Sequence, residues 1–202
     1  MNDCKIAIWL AFALILFNGC SVNTSEFGNR PGSSGDTVYE GRWACSQDFQ
    51  IAINQQNNSQ QNLTSGHKDF KPSWSKTDGK LTFFRRISKG QTGFPSWRTK
   101  ICVINADGTG FKELTSGNYP DLNPTWTRDG SNMIIFNRLA TVPSWENQIY
   151  LISPDGATGD ELLISHPSET NYEWANSTLK DGRIFIDRFN SDYAKSFLLT
   201  PN

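Results

Sequence analysis

The sequence of 202 residues contains only two histidines, His67 and His166, and two methionines. Neither histidine lies at a zinc-ligand spacing from a cysteine. The chain also has no H-E-x-x-H, no G-x-S-x-G and no glycine loop of the kind that cradles phosphate. These absences exclude the motif-bearing metalloproteases, α/β-hydrolases and P-loop proteins, and we predict neither a metal nor a cofactor.

The chain has no excess of charge of either sign and few apolar residues. Its 19 Lys and Arg residues balance 20 Asp and Glu residues, so no basic face for nucleic acid is indicated. Only 37% of the residues are hydrophobic, whereas Gly (16), Trp (7) and Phe (13) are plentiful. This composition favours many short strands. It argues against a helical bundle, a coiled coil, a multi-span membrane protein and a disordered chain.

The longest apolar run, Ile6 to Phe17, is typical of an export signal. It has about a dozen residues, whereas a membrane-spanning helix needs roughly 20 and the core of a signal peptide about 7–15. The run ends at Leu16-Phe17-Asn18-Gly19-Cys20, which resembles a bacterial lipobox. The resemblance implies that residues 1–20 are a lipoprotein signal and that Cys20 is lipidated. The alternative is an ordinary cleaved signal, or a short anchor, with an incidental cysteine.

The residue after Cys20 and the segment that follows it complete this interpretation. Ser21, unlike aspartate, implies by the lipoprotein sorting rule an outer-membrane lipoprotein that faces the periplasm or the exterior of a Gram-negative cell. Residues 21–36 are polar and rich in Gly and Ser, as in a flexible tether. Acyl chains on Cys20 would hold the protein at a membrane without a spanning segment.

Two further cysteines, Cys45 and Cys102, follow the tether. An exported protein lies in a compartment where disulfides form, so the two cysteines could pair. Alternatively, Cys102 is simply buried, because it lies in the apolar segment Ile101-Cys102-Val103-Ile104. The sequence alone leaves both alternatives open.

The rest of the chain repeats with a period of about 50 residues. Trp74, in KPSWS, and Trp126, in NPTWT, are 52 positions apart (126 − 74), and Trp174 follows 48 positions later (174 − 126). An Asp-Gly pair and a hydrophobic segment follow each tryptophan. The pairs are Asp78-Gly79, Asp129-Gly130 and Asp181-Gly182. Self-similarity of this kind predicts a repeat architecture, with the three tryptophans packed between units.

Each repeat predicts four short antiparallel strands. Asp-Gly between two apolar runs is a strong hairpin signal, because glycine tolerates the positive φ of the turn. In the best-formed unit, the first hairpin turns at Asp78-Gly79 and the second at Asp107-Gly108. One such sheet cannot bury both of its faces alone. Sheets packed radially around an axis solve this problem, which predicts an all-β fold of the β-propeller type.

The repeats resemble a known family. Residues 72–80 (PSWSKTDGK) are similar to the P-x-W-S-x-D-G-K signature of the WD40-like (PD40) repeats of TolB-type propellers, and residues 124–130 are a second copy. The resemblance covers about residues 49–202. It implies a partial propeller over residues 37–202 with three to four blades. Their bounds are about 37–66 (partial), 67–119, 120–168 and 169–202 (partial).

The end of the chain raises a question about closure. Residues 197–202 (FLLTPN) align with residues 150–155 (YLISPD), so the sequence ends where a hairpin turn is expected. Closed propellers have at least about four blades. We therefore expect either a truncated, non-functional remnant or a homo-oligomer whose chains close the ring together.

Two loop tryptophans are the candidate binding residues. Trp97 (FPSW) and Trp145 (VPSW) lie beside Pro and Ser, where an exposed indole could stack on a sugar or anchor a protein. Packing of each loop onto its own blade explains them equally well.

A catalytic alternative is a polysaccharide lyase that acts on uronate-containing glycans. Such an enzyme needs a His or Tyr base and a cation that stabilises the enolate. His67, Arg85 or Arg86, and Tyr119 or Tyr172 could serve in these roles, although their spacing does not select them. Otherwise His67 is a loop residue that bonds between blades, and Arg85 and Arg86 form a solvated strand end.

The sequence therefore predicts a non-catalytic envelope lipoprotein. Its TolB-like propeller would act as a scaffold that binds a protein or a glycan through loops 87–99 and 139–148.

Overall fold

All regular elements in the described part of the chain are β-strands. The computed structural model describes residues 38–39, 42–54, 59–89, 97–139, 147–165, 172–189 and 194–200. Within these residues, no helix has the length and apolar character needed to cross a bilayer. The strands are β1 (Val38–Tyr39), β2 (Arg42–Gln47), β3 (Gln50–Asn54), β4 (Gln60–Asn62), β5 (Lys68–Trp74), β6 (Lys80–Lys89), β7 (Trp97–Asn105), β8 (Lys112–Glu113), β9 (Asp121–Trp126), β10 (Ile134–Leu139), β11 (Asn147–Ile152), β12 (Leu162–Ser165), β13 (Tyr172–Thr178), β14 (Ile184–Phe189) and β15 (Ala194–Leu199).

The strands form antiparallel sheets in which sequence neighbours pair. The described sheets are β1-β2-β3-β4, β5-β6-β7-β8, β9-β10-β11-β12 and β13-β14-β15. The first of them covers the segment that was expected to be a partial blade, and it has four strands, although β1 has only two residues. This order of strands confirms the predicted all-β class.

Asp-Gly turns close the hairpins of the second sheet where the sequence predicts them. Gly79 and Gly108 have φ of 65° and 86°, a conformation that glycine adopts without steric cost. The Ser75 N–H donates to the Lys80 carbonyl at 2.8 Å across the first turn, and the Asn105 N–H donates to the Thr109 carbonyl at 2.9 Å across the second.

Apolar side chains fill the spaces between neighbouring sheets, as in consecutive blades of a propeller. Strands β5, β9 and β13, the first strands of their sheets, each pack against strands of the sheet before, and β9 contacts both β5 and β13. They are the inner strands of the blades. The second sheet supplies Phe83 and Ile104 to the core shared with the first sheet, and Phe84 and Ile101 to the core shared with the third.

Two of the three repeated tryptophans pack between blades, as predicted. Trp74 is fully buried among residues of the first and second sheets, including Ile51 and Phe83. Trp126 lies in the core between the second and third sheets. Its indole Nε1 donates to the Ser73 carbonyl of the neighbouring inner strand at 3.0 Å.

The assignment of Trp174 to the same position is wrong. In the second and third sheets, Trp74 pairs with Leu81 and Trp126 pairs with Ile134. The equivalent residue of the fourth sheet, Ile184, pairs with Thr178 and not with Trp174. Trp174 instead pairs with Asp187 on β14. The equivalent pair in the third sheet is Leu122 with Asn137, so Trp174 corresponds to Leu122 and not to Trp126. The sequence holds a warning of this shift, because Trp174 lies seven residues before Asp181 whereas Trp74 lies four before Asp78. The side chain of Trp174 is outside the described part.

Cys45 and Cys102 are both buried free cysteines, so the open alternative of a disulfide is not realised. Cys45 lies on β2 of the first sheet. Cys102 lies on β7 in the core between the first and second sheets, and burial raises the pKa of its thiol. Both therefore act as small apolar side chains.

Candidate functional site

Several of the residues singled out in the sequence lie at one end of the blades. We call this end the upper face and define it as the end at which the inner strands β5, β9 and β13 begin. His67 directly precedes the inner strand β5, and Tyr119 lies two residues before the inner strand β9. Arg86 lies towards the end of β6, and Trp97 is the first residue of β7. Antiparallel pairing brings all of these positions to the same end of the sheets.

Arg85 and Asp69 form a buried ion pair at the upper face of the second sheet. They are cross-strand partners on β6 and β5. Arg85 Nε donates to Asp69 Oδ1 at 2.7 Å, and its Nη2 donates to Oδ2 at 2.9 Å. The Asp69 side chain is 0% exposed and that of Arg85 8%. The Arg85 guanidinium also lies 4.5 Å from the centroid of the Phe111 ring.

Arg138 and Asp121 repeat this pair in the third sheet. Arg138 Nε and Nη2 donate to the two carboxylate oxygens of Asp121 at 2.7 and 3.0 Å. Glu161 accepts a further bond from Nη2 at 3.1 Å. The guanidinium lies 5.0 Å from the ring centroid of Tyr119 and 4.7 Å from that of Tyr150. Bidentate arginine–carboxylate pairs of this kind are among the strongest hydrogen-bonded contacts in proteins.

The fourth sheet has the same residue types at the matching positions. Glu173 on β13 and Arg188 on β14 are cross-strand partners, as Asp69 and Arg85 are. The Arg188 guanidinium lies 5.0 Å from the centroid of Phe197. In the second, third and fourth sheets, an acidic residue on the inner strand is therefore paired in register with an arginine on the next strand.

The charges around these pairs balance differently in the two central sheets. Lys100 is the β7 partner of Arg85, and its ammonium pairs with Glu113. At the equivalent position beside Arg138, the third sheet has Gln148. Arg138 thus contacts two carboxylates, those of Asp121 and Glu161.

Burial and charge act in opposite directions on the pKa values of this cluster. Burial works to lower the pKa of Arg138, but the hydrogen bonds and charges of Asp121 and Glu161 outweigh it, and that pKa is raised. Burial raises the pKa of the Asp121 carboxyl against the pull of Arg138. The pKa of the Tyr150 hydroxyl is raised as well, chiefly by burial.

These contacts correct the interpretation of Arg85 as a solvated strand end. Both carboxylate oxygens of Asp69 bind its guanidinium, so its charge is compensated within the blade. Tyr119 lies beside Arg138, and His67 is exposed. Arg86, which follows Arg85 in the sequence, is half-buried. Trp145 and Cys20 lie outside the described residues, as do the side chains of Trp97 and Tyr172.

Sequence reasoning missed the carboxylates of the repeated pairs. The signal was present, since Asp69 and Asp121 each lie three residues before the proline of the repeat motif (Pro72 and Pro124). An acid and an arginine that share the period of the tryptophans predict a contact between adjacent strands. Within the described ranges, no group of three or more His, Cys, Asp or Glu side chains could hold a metal ion.

No protein-family model matches the chain, and a search of curated protein sequences finds no significant match. The following three are among the solved structures that are similar. An oligogalacturonate lyase in complex with manganese gives a TM-score of 0.61 at 9% identity, covering 79% of this chain and 47% of that one. A prolyl endopeptidase gives 0.53 at 14% identity, covering 85% and 30%. The tricorn protease gives 0.51 at 12% identity, covering 87% and 23%.

The chain thus spans less than half the length of each of these proteins. Identities this low carry information about the fold alone. Together with the radial order of the sheets, they show that the described part of the chain is a segment of a β-propeller.

Proposed function

We propose that the protein is a non-catalytic scaffold of the bacterial cell envelope that presents loops of a TolB-like propeller to a protein or a glycan. Loops 87–99 and 139–148 would make the contact. Lipid on Cys20 would hold the propeller at the outer membrane, on the side of the periplasm or the exterior.

One observation carries the non-catalytic part of this proposal. Arg85, one of the two arginines that a lyase site at this face could use, is buried and bound by both oxygens of Asp69. The same construction at Arg138 marks these arginines as repeated structural elements. A propeller segment with connecting loops suits binding, because loops on a rigid scaffold commonly carry recognition.

The loop tryptophans give the binding proposal its test. In affinity electrophoresis of the full-length protein in detergent, gels that contain polygalacturonate or soluble peptidoglycan fragments are expected to retard the wild type. Trp97→Ala and Trp145→Ala are each expected to weaken this binding about tenfold, since loss of an aromatic anchor costs roughly 1–2 kcal/mol. Leu162→Ala is the matched control, because Leu162 is 59% exposed on the outer strand β12.

Two results would count against the proposal. Release of unsaturated uronate by the wild type, detected by its ultraviolet absorbance and lost in His67→Ala, would make the protein a lyase. Absence of retardation in both gels, together with no crosslinked protein in cells that carry a photo-crosslinking residue at position 97, would remove the proposed contact.

The lipid anchor has a separate test. Cells that express the full-length chain and are fed an alkyne analogue of palmitate are expected to label the wild type, whereas Cys20→Ser removes the label completely. The variant is also expected to leave the membrane fraction, because no acyl chain would then insert into the bilayer. Cys4→Ser is the control and keeps both properties. Labelling of Cys20→Ser at the wild-type level would refute lipidation at this residue.

A further inference from the structure

The inner strands carry a backbone irregularity at matching positions. The pairing of β5 with β6 shifts between Phe70 and Ser73, and that of β9 with β10 shifts at the equivalent place. Each bulge contains a residue in the left-handed region, Lys71 with φ of 53° and Asn123 with φ of 50°. A left-handed lysine is uncommon in any strand, and such strain often accompanies a functional position.

The two bulges lie side by side. Two residues beyond them, Ser73 Oγ and Thr125 Oγ1 are 3.5 Å apart across the neighbouring inner strands. The indole of Trp126 also bonds to the Ser73 carbonyl. Equivalent positions of β5 and β9 are therefore close neighbours, and Lys71 and Asn123 occupy the same level of the two strands.

Lys71 is a half-buried cation without a counter-charge in the described part of the chain. Burial lowers the pKa of its ammonium, and no carboxylate contributes to that shift. Two buried cations of the described part, Arg85 and Arg138, differ from Lys71 because each is matched by carboxylates. A desolvated ammonium is stabilised when an anion binds beside it.

We propose that Lys71 and Asn123 form an oxyanion site at the inner strands, which takes a small carboxylate or phosphate group. The Lys71 ammonium supplies the charge and the Asn123 side-chain amide donates a second hydrogen bond. The bulges serve this site because they release Lys71 and Asn123 from the regular pleat at one level. The site is distinct from the loops 87–99 and 139–148, and it does not depend on the proposed function.

The test follows the Lys71 ammonium directly. The full-length protein in detergent, with its lysines reductively ¹³C-methylated, gives one NMR signal for each lysine, and Lys71→Met identifies that of Lys71. In chloride buffer this signal is expected to titrate at lower pH than those of the exposed lysines. Addition of sodium phosphate, acetate or glucuronate is expected to shift it saturably and to raise its pKa, because a bound anion stabilises the charged amine.

Variants separate a built site from general screening. Asn123→Asp places a carboxylate beside Lys71 while keeping a residue that tolerates the left-handed region. It is expected to raise the pKa of Lys71 and to weaken anion binding at least about tenfold, as loss of a hydrogen bond to a charged group does. Lys180→Met removes an exposed turn lysine and keeps wild-type binding.

The three anions also distinguish the source of the ligand. A response to glucuronate and acetate indicates a carboxylate ligand, and a response to phosphate alone indicates a phosphate ligand. Either result supports the site. The proposal is overturned if none of the three anions shifts the Lys71 signal saturably. It is also overturned if added chloride shifts this signal as much as the three anions do and the shift persists in Asn123→Asp.

Discussion

Replacement of Arg138 by methionine is expected to lower the free energy of unfolding by roughly 3–5 kcal/mol, the usual cost of removing one partner of a buried ion pair. The guanidinium bonds to both Asp121 and Glu161, whose side chains are 0% and 9% exposed. Without it, two buried carboxylates lie together with no cation in contact. Urea unfolding of the full-length protein, followed by tryptophan fluorescence, measures the loss.

Two comparisons isolate the charge in this cluster. Arg85→Met is expected to cost less, because it leaves a single buried carboxylate, Asp69, without its cation. Glu113 keeps its ion pair with Lys100, a lysine that the third sheet replaces by Gln148. Arg138→Met combined with Asp121→Leu is expected to recover part of the stability, since an apolar pair avoids the desolvation of charge. Equal losses for the two arginine variants would contradict the role assigned to Gln148.

The effect of pH has a defined sign in Arg138→Met. Burial already raises the pKa of the Asp121 carboxyl, and loss of the opposing Arg138 charge raises it further, so the folded variant binds more protons than the unfolded chain. Its stability therefore increases as the pH falls through this raised pKa. The deficit relative to the wild type is expected to be largest at neutral pH and to shrink in acid.

The second large effect is expected at Trp126. Trp126→Ala should cost roughly 3–5 kcal/mol, because it leaves a cavity in the core between the second and third sheets. Trp126→Phe keeps most of the ring but removes the hydrogen bond to the Ser73 carbonyl, and it should cost about 1 kcal/mol beyond its loss of volume. The same urea titrations measure both variants.

Thr178 supplies the matched control for Trp126. It occupies the tryptophan position of the fourth sheet, and its hydroxyl accepts a bond from the Arg128 N–H at 2.6 Å. Thr178→Ala is therefore expected to cost about 1 kcal/mol, the value of one hydrogen bond. A loss in Trp126→Ala as small as that in Thr178→Ala would refute the importance of the indole in joining the blades.

The fold could be predicted from the sequence because its signals are local. Asp78-Gly79 and Asp107-Gly108 specify hairpins without reference to the rest of the chain, and their spacing then gives the repeat. Trp174 shows the limit of this reasoning. The residue type and approximate spacing matched the repeat, but a strand bulge between Ala175 and Ser177 lies near it, and its true register depends on pairing with β14.

The candidate site was harder to predict for a physical reason. Arg85 has the appearance of a catalytic cation in the sequence, because nothing in its neighbours along the chain reveals that Asp69 lies opposite. The same holds for Lys71, whose unusual backbone and lack of a counter-charge emerge only when β5 and β9 are side by side. Cross-strand partners are set by register, and a shift of one residue changes every one of them.

The division of apolar residues between neighbouring sheets has a consequence for how such a chain can change over evolutionary time. Each core is formed by one face from each of two neighbouring sheets, and the two faces of the second sheet contribute to two different cores. A substitution on one face of a sheet therefore selects for a compensating substitution in the neighbouring repeat, about 50 residues away, rather than in the same repeat. Repeats built in this way diverge in sequence while each interface keeps its own complementary pair of surfaces.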